Sequence, residues 1–143
     1  MRHALMGGCI LWSLMATVSP GLAASVRNIY FSNGQVLPGQ QYRSEGQLPG
    51  PMTTFVKGRD KTARLFIIFG DMDAHRLQGE LKAADGKVVR RVDRTIEAYR
   101  LAANWRLATH GFDLEKLGPG EYTLDLKIDG ESKGTYTFSL GAP

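Results

Sequence analysis

The sequence predicts an all-β fold, an antiparallel sandwich of seven or eight strands. Three observations predict it. Two period-two runs lie at residues 117–140, one run apolar on both faces lies at residues 62–69, and turn-forming residues punctuate the rest at regular intervals. A half-buried strand alternates apolar and polar residues because successive side chains point to opposite sides. Tyr122, Leu124, Leu126 and Ile128 alternate in this way with Thr123, Asp125 and Lys127, and Tyr136, Phe138 and Leu140 with Thr137 and Ser139. Asp129-Gly130 joins the runs with residues tolerant of positive φ, which makes the pair a hairpin.

The hairpin opens on Leu117, Pro119, Gly120, Tyr122 and Leu124. That spacing resembles the tyrosine corner of immunoglobulin-like and fibronectin-III-like sandwiches. The resemblance implies that the chain crosses between two sheets here, with the Tyr122 hydroxyl bonded to a backbone group a few residues upstream. It implies a fold and no activity. A generic Pro-Gly turn before a hairpin shares these residues, and a small closed barrel is the rival architecture. The Cys…Trp…Cys pattern of antibody domains is missing.

In chain order, residues 1–24 have the layout of a secretory signal peptide. Arg2 and His3 precede a mostly apolar run, Pro20-Gly21 breaks it, and Leu22-Ala23-Ala24 offers small residues before Ser25. Cleavage after Ala24 leaves 119 of the 143 residues, the size of one domain spanning 25–143. Cys9 falls in the removed segment, so the domain has no disulfide. Seventeen basic residues then face 14 acidic ones. So mild an excess does not single out nucleic acid as a partner. The expected address is the bacterial periplasm or the secreted fraction.

Residues 26–31 read as a first, edge strand. Residues 35–51, with three Pro and four Gln, read as a long loop, either a slack crossing or a binding loop carrying Gln40, Gln41, Tyr42 and Arg43. Residues 52–57 resume β character. The run Leu65-Phe66-Ile67-Ile68-Phe69 marks residues 62–69 as a central strand. Residues 76–83 alternate cleanly, and Asp85-Gly86 turns the chain into residues 88–97. There Val88, Val92 and Ile96 share a parity with Arg90 and Arg94, which calls for a bulge. Residues 98–107 fit a strand through Tyr99, Leu101, Ala103, Trp105 and Leu107, and residues 112–117 form a short linking turn.

Two groups of side chains suggest function. Arg90, Arg91 and Arg94 on one strand, with Arg100 and Arg106 on the next, would merge into a positive face if the strands were neighbours. Arginine forks suit phosphate and carboxylate groups. With Tyr42 and Arg43 from the loop, this surface would take a protein or an anionic cell-envelope component. The competing reading is an ordinary solvated face neutralised by Asp93 and Glu97. The second group is Asp71, Asp73 and His75, whose alternate carboxylates and imidazole would suit a metal ion or small ligand. Turn-forming acids bonded to their own backbone are the plainer reading. Residues 25–143 hold no cysteine and the chain no Gly-x-Ser-x-Gly elbow, and no nucleophile can be named. The expectation is a non-enzymatic interaction module without a cofactor, with a small-ligand or metal-ion carrier as the alternative.

Overall fold

The computed structural model describes residues 24–33, 45–100 and 103–143. Eight strands form: β1 (Val26–Ser32), β2 (Thr54–Val56), β3 (Thr62–Phe69), β4 (His75–Ala83), β5 (Val88–Ile96), β6 (Arg106–Asp113), β7 (Gly120–Ile128) and β8 (Glu131–Gly141). They build two sheets, ordered β1-β3-β6 and β2-β8-β7-β4-β5. The fold is an immunoglobulin-like sandwich, antiparallel except where short β2 runs parallel to β8. No helix among the described residues is long and apolar enough to cross a membrane.

The core fills the space between the sheets. Phe31, Leu65, Ile67, Phe69 and Phe112 face Leu77, Leu81, Leu124, Leu126, Ile128 and Phe138. Each such side chain stabilises the fold by roughly 1.5–3 kcal/mol relative to exposure. Aromatic edges tighten the packing: Phe138 lies 5.0 Å from Phe31 and 5.5 Å from Phe55, both edge-on.

The segment through β2 ties the sheets together on one side. Met52 N–H donates to Phe31 O (2.7 Å) on β1, while Ser139 N–H donates to Thr53 O (2.8 Å) and Lys57 N–H to Gly141 O (2.9 Å) on β8. Residues 52–57 thus bond to a strand of each sheet.

The hairpin is as its sequence requires. Asp129 (φ 54°) and Gly130 (φ 80°) form the two-residue turn, with Ile128 opposite Glu131. The corner is present too. Tyr122 Oη donates to Gly118 O at 2.5 Å. Lys57 Nζ reinforces it by donating to the carbonyls of Glu115 (3.0 Å) and Leu117 (2.5 Å), at the end of the 3₁₀ turn Leu114–Lys116.

Two expectations need correction. Ala98, Tyr99 and Arg100 are not strand; Tyr99 is 44% exposed and its N–H donates to Met72 O (2.8 Å). Leu101 lies outside the described residues. The strand begins at Arg106 and continues through residues read as a link. Its inward positions are Arg106, Ala108, His110 and Phe112, opposite Phe69, Ile67, Leu65 and Ala63. Three of these four are not large apolar residues, so the alternation is invisible in sequence. The second correction follows. β5 pairs with β4, and β6 pairs with β3 in the other sheet, so the two arginine-bearing strands are not sheet neighbours.

Candidate binding surface and a buried charged cluster

The loop after β3, the start of β4 and the β7–β8 turn converge at one end of the sandwich. His75, whose side chain is 1% exposed, sits between two carboxylates. Nε2 lies 2.6 Å from Asp71 Oδ1, and Nδ1 lies 2.6 Å from Asp129 Oδ2. The ring stacks on Phe69 at 5.0 Å. Arg106 covers the same phenyl ring, 5.1 Å from its centroid, and donates to Glu97 O (2.7 Å) and Asp73 O. Its guanidinium lies 3.8 Å from Asp71.

Burial pulls the His75 pKa down, but the hydrogen bonds and charges of Asp71 and Asp129 outweigh it and hold the imidazole above its ordinary 6.5. Burial likewise pushes Asp71 up, while bonds from His75 and the N–H groups of Ser25 and Asp73 hold it below 3.8. An imidazolium has two N–H donors, which is what two flanking carboxylates demand.

The sequence placed Asp71, Asp73 and His75 together as metal-ligand candidates. The fold brings Asp71 and His75 into contact, but Asp73 joins through its backbone, its N–H donating to Asp71 Oδ1 (3.0 Å). Both imidazole nitrogens already face carboxylates. Among the described residues, no group of three or more His, Cys, Asp or Glu is arranged to hold a metal ion. Asp129 was read only as a turn former. Nothing in the sequence shows that its carboxylate reaches back 54 positions to His75.

The arginines disperse. Arg91 points outward from the five-stranded sheet and pairs with Glu80. Arg90 and Arg94 lie opposite Leu81 and Leu77 and so share the inward parity of edge strand β5. The expected bulge exists, where Leu81 pairs with Arg90 and Lys82 with Val88, yet it leaves both arginines on that parity. Arg94 spans the open side of the sandwich and donates to Thr109 O on β6 (2.5 Å). Arg100 is exposed in the connection after β5, and Arg106 is buried in the cluster. Tyr42 and Arg43 lie outside the described residues.

The two outer faces differ. On the five-stranded sheet, charges are matched: Arg76 with Asp93 (2.9 Å), Lys82 with Asp125 (2.9 Å) and Arg91 with Glu80. The three-stranded sheet instead carries Tyr30 stacked on Phe66 (5.3 Å), with Ile68 and Leu107 beside them. Phe66 is 0% exposed although it points away from the core. Residues 46–51 lie along this face, and the Tyr30 hydroxyl donates to Pro49 O (2.9 Å). Between them is a cleft of about 460 Å³ lined by Arg27, Asn28, Tyr30, Leu48, Pro49 and Ile68, among others. Arg64 stands further along the same face, opposite Ser32. On the three strands, the only acidic side chain of the outer face is Asp113 at its end.

Two sheets and a tyrosine corner define an immunoglobulin-like sandwich domain. No protein-family model and no curated protein matches the chain. Among solved structures it is similar to the Pseudomonas fluorescens alkylpurine DNA glycosylase AlkC bound to DNA containing an abasic site analog, at 11% identity and a TM-score of 0.50. That match covers 83% of this chain but 30% of the glycosylase, so the chain spans under a third of it and the likeness is one of fold alone. An immunoglobulin-like protein from Pseudomonas aeruginosa is 12% identical with a TM-score of 0.43, over 82% of this chain and 96% of that one.

Proposed function

We propose that the chain is an exported, non-enzymatic interaction module of the bacterial periplasm that binds a protein or an anionic envelope component. The observation that carries this reading is the asymmetry of the two outer faces. One face carries the ion pairs of Arg76, Lys82 and Arg91, whereas the other carries an aromatic and apolar cleft with Arg27 in its lining and Arg64 further along. A concave apolar surface beside cations suits a partner with an acidic rim. The titratable groups support a binding role over catalysis, because both ring nitrogens of buried His75 are engaged by Asp71 and Asp129.

The test is recovery of the protein from the exported fraction of its host, followed by native mass spectrometry of whatever it retains. Reversal of Arg27 and Arg64 to Glu is expected to weaken the retained complex by about tenfold or more, since rim charges steer association. Reversal of Arg91 alone should weaken it little, because that residue lies on the outer face of the other sheet. Equal binding by parent and Arg27/Arg64 variant would sink the choice of surface.

A further inference from the structure

Ser25 is seated at the start of β1 by three contacts. Its N–H donates to Asp71 Oδ2 (2.7 Å). Its carbonyl accepts from Gly70 N–H (2.7 Å). Its hydroxyl lies where residue 70 has no room for a side chain, since a Cβ there would stand 2.8 Å from Ser25 Oγ. Asp71 is bound from the other side as well: Oδ1 receives His75 Nε2 and Asp73 N–H, and Arg106 lies 3.8 Å away. Its carboxylate is 20% exposed, and Oδ2 is the oxygen turned to the incoming chain.

The geometry points to Ala24-Ser25 as a processing site whose new α-ammonium docks on Asp71 Oδ2, so that cleavage turns a backbone hydrogen bond into an ion pair. This rests on the export reading above. Hydrolysis by an envelope signal-processing peptidase consumes one water. The Ala24 C–N bond breaks, a C–O bond forms to give the Ala24 carboxylate, and the Ser25 nitrogen leaves as an amine that is protonated at neutral pH. Ala23 and Ala24 supply small side chains just before the bond. The nitrogen already lies at bonding distance from Oδ2, so no rearrangement is required. An ammonium presents a full charge where an amide N–H presents a dipole, which adds ion-pair attraction to a bond that the Asp71 carboxylate already assists. Processing thereby fastens β1, an edge strand, to the cluster that also holds β4 and the β7–β8 turn.

The experiment has two arms. In the first, the full chain is exported from a bacterial host and its intact mass measured. The expected mass is that of a chain starting at Ser25. Another start overturns the processing site, without affecting the second arm.

In the second, a chain starting at Ser25 is compared with one carrying an extra Gly before it. The extension keeps the Ser25 N–H but moves the charge one residue away. The free-amine chain is expected to melt about 3–6 °C higher. The gap should vanish in Asp71→Asn, persist in Asp73→Asn and shrink in 1 M salt. Equal melting of the two chains, or a gap that survives Asp71→Asn, overturns the docking. Should Asp71→Asn fail to fold, a gap insensitive to salt overturns it instead.

Discussion

At the scale of the residue, His75 is the side chain whose chemistry depends most on its surroundings. Its folded pKa is raised, so the stability it contributes is complete below the unfolded value near 6.5 and is lost as pH rises through the folded value. Asp71 is lowered, so its contribution is present above 3.8 and lost as pH falls through its folded value. The cluster therefore contributes fully between these two ordinary values. Above the folded His75 value a neutral imidazole keeps one N–H, and one carboxylate at 2.6 Å loses its donor. His110 works in the opposite sense, lowered by burial and by the charges of Arg94 and Arg64, but it is common to parent and variant and cancels in their difference. His75→Gln should destabilise the domain by roughly 2–3 kcal/mol at pH 5, the worth of hydrogen bonds to charged groups. The difference in melting should narrow steadily towards pH 9. A difference constant from pH 5 to pH 9 would show that His75 acts by packing on Phe69 and not by charge.

At the scale of the element, β5 is the informative strand. It is nine residues long and lies at the edge of its sheet, a template for pairing with another chain. Inward-facing charge on an edge is one way to discourage that pairing. Arg90 and Arg94 occupy this position, and Arg94 also joins the two sheets through Thr109 O. Replacing Arg90 by Val and Arg94 by Leu should produce larger particles than the parent at equal concentration, read by sedimentation velocity. Unchanged sedimentation would remove the protective role. The same strand shows what a sequence conceals. Its parity conflict was visible, and so was the need for a bulge, but the bulge does not turn the arginines outward. Period-two reading worked for residues 76–83 of β4 and for β7 and β8, whose inward positions there are mostly apolar, and β3 was legible as a run apolar on both faces. It failed for β6, where Arg106 and His110 face inward and are stabilised by partners that only the fold supplies: Glu97 O, Asp73 O and Phe112. The cluster was legible by half, since Asp71 and His75 are near in sequence and Asp129 is not.

At the scale of the whole molecule, the two sheets are coupled unequally along their sides. On one side the β2 segment bonds both β1 and β8 through the backbone; on the other, side chains bridge, as in Arg94 to Thr109 O. Backbone bonds to both sheets resist local opening better than a single exposed guanidinium contact, so the β2 side should be the firmer one. Phe55 sits at the centre of that side, 0% exposed and edge-on to Phe138 from the five-stranded sheet. Phe138 in turn packs against Phe31 from the three-stranded sheet, which makes a continuous aromatic path from one sheet to the other. Phe55→Ala removes the start of that path and should cost about 3–5 kcal/mol. If the sheets form one cooperative unit, amide exchange should quicken in β1 and β3 as much as in β7 and β8, although Phe55 is hydrogen-bonded only within the sheet of β8. Faster exchange confined to β2 and β8 would mean that the sheets unfold separately, with the core between them less binding than its packing implies.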